Sequence, residues 1–320
     1  ENTGENRPMN HQAKKECFKT SVGGQALMEG IMMRGPEKIC VAVRRPDGTI
    51  DLTYEDVKHH RWQKIPLVRG AAAMIENLVL GYRYLMHSAE VSMPEEAEAE
   101  PGRFEKWLNE HTGPAFQNFF MALAAVCGGM LAIVLFMVLP TAIVSLVNDF
   151  VPLGWGKVVL EGVLKITLFV GYLFLCTRMK EIHRVFEYHG AEHKTIACYE
   201  AGEELTVENV RRHRRFHPRC GTSFMILVLI VSILLFSMLP WGSTGLRVLL
   251  KLLLLPLVMG ISYELIKLAG RYDNLFTRII SAPGLWLQRL TTFEPDDSMI
   301  EVAIAAVKPV LPEHPDEAKW

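Results

Sequence analysis

The stretch Thr222-Ser-Phe-Met-Ile-Leu-Val-Leu-Ile-Val-Ser-Ile-Leu-Leu-Phe-Ser-Met-Leu239 contains no charged residue. An apolar run of about 18 residues without charges is typical of a helix that crosses a lipid bilayer. Other stretches of the chain share this character. The sequence therefore predicts four transmembrane helices, at 116–147, 158–177, 222–239 and 246–269.

Composition supports a membrane protein. The chain has 320 residues, of which 50% are hydrophobic, and a net charge of −1. A near-neutral charge gives no reason to expect nucleic acid as a partner. None of the six cysteines forms a Cys-x-x-Cys pair, which fits a reducing compartment. We predict an all-α membrane protein with a small α+β cap, and the lipid bilayer as its partner.

Charge distribution predicts the orientation in the membrane. The connection 179–221 is rich in arginine, whereas 148–156 and 240–245 carry no Lys or Arg. Because basic loops stay in the cytoplasm, we expect both termini and the 179–221 loop on the cytoplasmic side. Inside the second span, Glu161 and Lys165 are four residues apart, and we interpret them as an ion pair with each other near its outer end.

The remaining segments form the predicted cap. Residues 1–20 are expected to be a disordered tail, and 21–92 a β-hairpin around the turn 45–48 followed by an amphipathic helix at 67–91. Residues 93–115 are an acidic linker and pre-membrane segment before the membrane domain 116–270. Residues 271–320 are predicted to form interfacial helices, one at 279–290 and one opened by a capping box from Ser298 to Glu301.

The candidate site begins at His189-Gly-Ala-Glu-His193 in the 179–221 loop. Residues four apart lie on one helix face, so both imidazoles can bind one metal ion, while Glu192 can activate water. The order His-x-x-Glu-His is that of the inverted zinc-protease motif. We expect the second span to continue as helix through His189, with Gly190 allowing a bend.

Two sets of further ligands are compatible with the sequence. In one, Glu264 joins His189 and His193, water completes the zinc shell, and Glu192 is the base. In the other, His217 and Cys220 close the shell and the metal is structural. Cysteine among the ligands favours zinc over magnesium or manganese. Alternatively, Glu264 pairs with Lys267 or Lys194.

Several motifs together resemble the YqhQ-like family of bacterial multipass membrane proteins. They are Gly23–Gly35, Tyr188–Lys194, His217–Phe224, Tyr263-Glu-Leu, Ser281–Gln288 and Glu294–Asp297, and the resemblance covers about residues 20–310. The resemblance implies a location in the bacterial inner (plasma) membrane. Members are commonly labelled predicted metal-dependent enzymes, and the resemblance implies no substrate.

Two functions are compatible with these features. The first is a zinc-dependent hydrolase at the cytoplasmic face of the plasma membrane, with a membrane protein or a lipid as substrate. The second is a non-catalytic scaffold or assembly factor whose metal only clamps the loop to the bundle. A small transporter is a third class, but the chain shows no internal repeat to support it.

Overall fold

The structure is a computed structural model that describes residues 19–93, 114–272 and 274–312. Residues 1–18 of the predicted disordered tail and most of the predicted acidic linker lie outside the described residues, whereas Thr20 is buried and its amide donates to Glu200 at 2.7 Å. The end of the chain from residue 313 also lies outside the described residues.

The described chain is mainly helical. In chain order the helices are α1 (Val68–Ser92), α2 (Pro114–Ile133), α3 (Leu139–Phe150), α4 (Gly156–Cys176), α5 (Lys180–Glu200), α6 (Val207–Arg212), α7 (Gly221–Ser237), α8 (Thr244–Arg271), α9 (Leu275–Thr291) and α10 (Asp297–Val307). A π-helical turn joins α2 to α3, and short 3₁₀ turns precede α1 and follow α10.

Three of the helical segments are long and apolar enough to cross a membrane. They are Leu123–Phe150, Gly156–Cys176 and Thr244–Arg271, which correspond to the first, second and fourth predicted spans. The third predicted span forms α7, whose 17 residues rise only about 26 Å at 1.5 Å per residue. A bilayer core is roughly 30 Å thick. The structure thus supports three spans, and the count of four stays a prediction.

A four-stranded antiparallel sheet forms the centre of the cap. Its strands are β1 (Gly23–Leu27), β2 (Gly30–Arg34), β3 (Lys38–Arg44) and β4 (Ile50–Asp56), and they pair in chain order. The predicted hairpin is present as β3 and β4. Its turn is closed by a 2.9 Å hydrogen bond from the Gly48 amide to the Arg45 carbonyl. The prediction of a single hairpin is incomplete, because β1 and β2 extend the sheet.

Strand β3 is covered on both faces, which explains why its central residues lack a polar face. On β3, Val41 packs with Leu27 and Tyr84 of α1 on one side, whereas Cys40 and Ala42 belong to a core with α5 and α10 on the other. A strand buried on both faces reads as a continuous apolar run. The cap is therefore a three-layer arrangement of helix, sheet and helices.

Helix α1 joins the cap to the membrane helices. The predicted amphipathic helix 67–91 is confirmed, and it packs along α8. The two helices approach closely where Gly70 meets Gly260: a Cβ added at Gly70 would lie 2.9 Å from the Gly260 Cα. The small residues permit this contact, as is common between packed membrane helices.

Two local predictions are corrected. The second span does not continue into α5, because Met179 adopts an extended conformation (φ −79°, ψ 127°) that interrupts the helix. Gly190 introduces no bend; a Cβ there would lie 2.0 Å from the Phe293 carbonyl oxygen, so glycine permits close packing. Ser298 does not cap the last helix, since α10 begins at Asp297 and Asp296 accepts the 2.9 Å capping bond from the Met299 amide.

Candidate metal centre

Three side chains that can bind a metal converge where α5 meets the start of α7. His189 and His193 are one helical turn apart on α5, and Cys220 is the N-cap residue of α7. One ligand atom from each residue lies within 4.8 Å of the others, and His189 Nε2 is 3.0 Å from Cys220 Sγ. In a tetrahedral zinc site with bonds of about 2.0–2.3 Å, neighbouring ligand atoms are roughly 3.5 Å apart. Small side-chain adjustments would complete such a site.

Each histidine is oriented by a main-chain carbonyl. His189 Nδ1 donates to the Thr291 carbonyl at 2.8 Å, and His193 Nδ1 donates to the Arg215 carbonyl at 2.6 Å. A carbonyl oxygen can only accept, so the proton of each neutral ring resides on Nδ1 and Nε2 keeps its lone pair. Metal-binding histidines are typically held in this way.

Glu192 lies on the same turn of α5 as His189 and His193, and one of its carboxylate oxygens has no hydrogen-bond partner. Its Oε1 accepts a 3.0 Å hydrogen bond from the Gly24 amide on β1, whereas Oε2 is buried without a hydrogen-bond partner. His193 Nε2 is likewise buried and without a partner. A Cβ on Gly24 would lie 3.2 Å from Glu192 Cδ and 2.4 Å from the Met32 carbonyl, so glycine lets the carboxylate approach the strand.

The electrostatics of the cluster favour a thiolate. Burial alone raises the pKa of the Cys220 thiol, but His189 and His193 outweigh it and hold the pKa well below its usual value. Burial alone lowers the pKa of His189, but the adjacent Cys220 raises it to about 9. Burial raises the pKa of Glu192 although both histidines oppose this shift. The cluster is thus prepared to coordinate a cation or to hold a thiolate–imidazolium pair.

His217 is close to the cluster but makes different contacts. Its ring centroid is 5.7 Å from that of His193, and its Nε2 is 3.4 Å from Glu200 Oε2. Glu200 also forms an ion pair with Arg219. Gln288 fixes the backbone of His217 by accepting from its amide and donating to its carbonyl. His217 therefore supports the loop that carries Cys220 and is not one of the three converging side chains.

Glu264 is bound elsewhere. Its Oε1 accepts from Arg69 Nε at 2.7 Å and from the Leu67 amide at 3.2 Å, and its Oε2 pairs with the same guanidinium. The expected alternative partners, Lys267 and Lys194, do not make this pair; Lys194 bonds Glu294 at 2.7 Å. The physical reason is proximity, because α1 packs along α8 and brings Arg69 to the carboxylate.

A second group of metal-binding residue types lies further along α5. It comprises Cys198, Glu203 and His213, with ligand atoms within 4.8 Å of one another. Here Glu203 is exposed and 3.3 Å from His213 Nε2, and burial raises the pKa of the Cys198 thiol to about 11. These contacts describe a carboxylate–imidazole contact at the surface beside a buried thiol.

The structure brings together three of the predicted metal-binding side chains, His189, His193 and Cys220. Glu264 and His217 face other partners. The contributions of Gly24, Thr291 and Arg215 were missed. Only Gly24 had a usable signal, since glycine inside a strand often marks a close approach of another group. The roles of Thr291 and Arg215 depend on their main-chain carbonyls, which every residue has, so no residue type in the sequence indicates them.

Comparisons with known proteins identify the family of the chain. A family model described as "Protein of unknown function (DUF1385)" matches residues 65–313. The chain is 35% identical over 298 residues to "Uncharacterized protein YqhQ" of Bacillus subtilis (strain 168), covering 90% of this chain and 92% of the relative. No solved structure matches the chain. By sequence, the chain belongs to the YqhQ-like family of proteins of unknown function.

Proposed function

We propose that this protein is a zinc-dependent hydrolase whose metal is held by His189, His193 and Cys220, with Glu192 as the general base. The observation that carries the proposal is the convergence of His189, His193 and Cys220, with the unpartnered, buried carboxylate oxygen of Glu192 on the same turn of α5. Three protein ligands leave one coordination position for water, which is the arrangement of catalytic zinc sites.

The residues present fit a zinc ion. Two buried atoms on α5, His193 Nε2 and Glu192 Oε2, have no hydrogen-bond partner. Both would gain partners if a metal and its water were bound. A thiolate with two imidazoles is a ligand set that favours zinc over the harder cations magnesium and manganese. Zinc bound there supplies Lewis acidity toward water and toward a substrate carbonyl or phosphoryl group.

The side chains have separate tasks in this proposal. Glu192 accepts a proton from water through its free Oε2, while the Gly24 amide holds the other oxygen at 3.0 Å. Burial raises its pKa, which brings the carboxylate closer to the range in which a base works near neutral pH. Thr291 and Arg215 keep the two imidazoles oriented through their carbonyl oxygens.

The surroundings of the site favour a substrate in the membrane. Cys220 directly precedes the apolar helix α7, so the cluster lies at the junction of cap and membrane helices. Two helices beside this junction expose apolar side chains suited to lie in a lipid interface: Ile75, Leu78 and Val79 on α1, and Leu275, Ile279 and Trp286 on α9. A membrane protein or a lipid is therefore the proposed substrate.

The distribution of arginine supports the cytoplasmic face of the bacterial plasma membrane as the location. The segment between α4 and α7 carries Arg211, Arg212, Arg214, Arg215 and Arg219, whereas the connections 151–155 and 238–243 carry no Lys or Arg. By the positive-inside tendency, the cap and the metal centre are cytoplasmic.

A structural metal clamp is the second candidate, and the burial of the site favours it. His193 and Glu192 are only 1% and 5% exposed. The cluster also joins parts of the chain that are distant in sequence: α5, the start of α7, the end of α9 and strand β1. A metal at such a crossing would stabilise the cap on the membrane helices without any reaction.

The variant Glu192→Gln separates the two candidates. It keeps the shape of the side chain and the acceptor oxygen for Gly24 but removes the base. Cells carrying this variant in place of the wild type should accumulate an uncleaved membrane protein or lipid, detected by comparing membrane proteomes and lipidomes, while purified protein retains its zinc. Identical membrane composition with zinc retained would favour the clamp and contradict the hydrolase.

A further inference from the structure

The turn before α1, residues 65–68, exposes four consecutive apolar residues. Ile65 is 51% exposed, Leu67 40% and Val68 49%, and Pro66 is exposed as well. Single apolar residues on a surface need no explanation, but a contiguous exposed patch indicates a partner. The contacts of this turn with α8 indicate which partner it has.

The turn is fixed against α8. A Cβ added at Gly260 on α8 would lie 2.6 Å from the Leu67 carbonyl oxygen and 2.9 Å from the Leu67 Cα. The Leu67 amide also donates a 3.2 Å hydrogen bond to Glu264 Oε1, one turn further along α8. The turn therefore lies at the level of residues 260–264 of that helix.

This level falls inside the lipid bilayer that α8 is long enough to cross. Helix α8 begins at Thr244, and irregular backbone before it does not face hydrocarbon. Gly260 follows Thr244 by 16 residues, or about 24 Å, whereas the hydrocarbon core is roughly 30 Å thick. The core thus extends at least about 6 Å past Gly260 toward the cap. A tilted helix, or a core that begins after Thr244, would place Gly260 deeper still.

The charged residues near the start of α8 are compatible with this placement. Arg247 and Lys251 are buried and form ion pairs with Glu161 on α4. Charged side chains at membrane depth normally have such partners. These contacts also correct the expected pairing of Glu161 with Lys165 alone, because α8 supplies two further partners for the same carboxylate.

The main-chain carbonyls of the turn have partners within the chain. The carbonyl oxygens of residues 65, 66 and 67 accept hydrogen bonds at 3.0, 2.8 and 3.2 Å, from the amides of Arg69, Val68 and Gly70 respectively. Hydrocarbon offers no hydrogen bonds, so a backbone segment in contact with lipid must satisfy its polar groups internally. The turn meets this requirement for its carbonyls.

The amides of the turn are satisfied as well. The Ile65 amide donates to the Trp62 carbonyl at 3.0 Å, and Pro66 has no amide hydrogen. Leu67 adopts φ 66° and ψ −49°, a strained conformation, and its amide reaches the Glu264 carboxylate on α8. Glu264 in turn forms an ion pair with Arg69, so each of these two charges has a partner at this level.

We propose that residues 65–68 form a re-entrant turn that inserts into the cap-side leaflet of the bilayer, where the apolar side chains contact lipid acyl chains. Helix α1 then leads out of the leaflet to the sheet, where Tyr84 packs with Leu27 and Val41. The proposal rests on α8 crossing the bilayer and not on the metal centre, so its failure would leave the proposed hydrolase untouched.

Spin labels on the full-length protein in lipid nanodiscs measure the depth of the turn. Val68→Cys places a label on the turn, and Leu78→Cys places one ten residues later on α1, where the native side chain is also exposed. Collision rates with oxygen, which concentrates in lipid, and with a water-soluble nickel chelate should place the Val68 label roughly 5–15 Å deeper than the Leu78 label. Equal depths, as for a helix that lies flat on the surface, would overturn the proposal.

Two further labels calibrate this measurement. Leu253→Cys lies on an exposed part of α8, and Tyr54→Cys lies on β4 of the cap. A Val68 label as accessible to the nickel chelate as the Tyr54 label would overturn the proposal. A Leu253 label in water would overturn it too, because α8 would then not cross the bilayer. Only the buried native cysteines are kept, and alanine replaces Cys17, Cys127 and Cys176.

The wild-type protein provides a measurement that does not depend on any substitution. Nanodiscs are prepared with a phospholipid that carries a photoactivatable diazirine on one acyl chain. After illumination, mass spectrometry of peptides should find the acyl chain attached to residues 65–68 as well as to α8. Attachment to α8 with none on residues 65–68 would contradict the insertion of the turn.

Discussion

Nδ1 of His189 donates a 2.8 Å hydrogen bond to the main-chain carbonyl oxygen of Thr291, the last residue of α9. The last carbonyls of a helix have no partner within the helix, so this oxygen is available to an outside donor. The bond directs the other ring nitrogen, Nε2, toward Cys220 at 3.0 Å. The end of α9 thereby takes part in the site.

Replacing Cys220 by serine should remove most of the bound zinc from the purified protein. Losing a side chain that only orients a metal ligand lowers metal affinity by roughly 10- to 100-fold. The zinc affinity of this variant should fall by more, because a ligand itself is removed. Cys198→Ser is the matched control, since Cys198 is also buried but is not one of the three converging side chains, and its thiol donates to the Glu204 carbonyl. Elemental analysis should find zinc retained in this control. Equal zinc in both variants would contradict the assignment of Cys220.

Replacing His217 by alanine should preserve zinc binding, whereas His193→Ala should abolish it. His217 faces Glu200 and Arg219, so its loss weakens the loop before α7 by roughly 1–2 kcal/mol without removing a ligand. Zinc titration in detergent with a competing chelator checks both variants. If His217→Ala also lost its zinc, the closed four-ligand set would replace the three-ligand set.

Glu264→Gln should lower stability and leave zinc content unchanged. Glu264 accepts from Arg69 and from the Leu67 amide, a contact that fastens α1 to α8. We expect a cost of about 1 kcal/mol, since both side chains are partly exposed to solvent. Thermal unfolding and elemental analysis of the same sample provide the two readouts. Loss of zinc in this variant would show that Glu264 is a ligand after all.

Gly190→Ala should destabilise the cap by about 1–3 kcal/mol. The new methyl group would lie 2.0 Å from the Phe293 carbonyl oxygen, so the segment after α9 must move away from α5. Because Thr291 belongs to that region, zinc affinity should fall with stability. Gly171→Ala is the control, since a Cβ there meets no atom within 4 Å. Similar unfolding temperatures for the two variants would contradict this packing.

The helices of this fold were largely predictable, and the sheet was only partly so. The apolar stretches in α4 and α8 are long enough to identify a span from composition alone. Strands β1 and β2 were not predicted, because burial on both faces removes the alternation that identifies a strand. The break at Met179 carries no proline or glycine to indicate it in the sequence.

The site was predictable where it depends on local spacing. His189, Glu192 and His193 share one helical turn, so their proximity follows from helix geometry. The distant partners could not be deduced in the same way. Glu264 follows the two histidines in the chain, as the third ligand of the inverted motif does. It forms an ion pair with Arg69 instead, because α1 lies alongside α8. Tertiary packing, which local sequence does not encode, decides between these pairings.

The coordination shell of zinc tests the central claim most directly. X-ray absorption spectroscopy at the zinc edge, on full-length protein purified in detergent, should show one sulfur at about 2.3 Å, two imidazole nitrogens and one further oxygen at about 2.0–2.1 Å. This result would match Cys220, His189, His193 and a water molecule held by Glu192. A shell with three imidazoles and no oxygen, or protein that binds no stoichiometric zinc, would contradict the account.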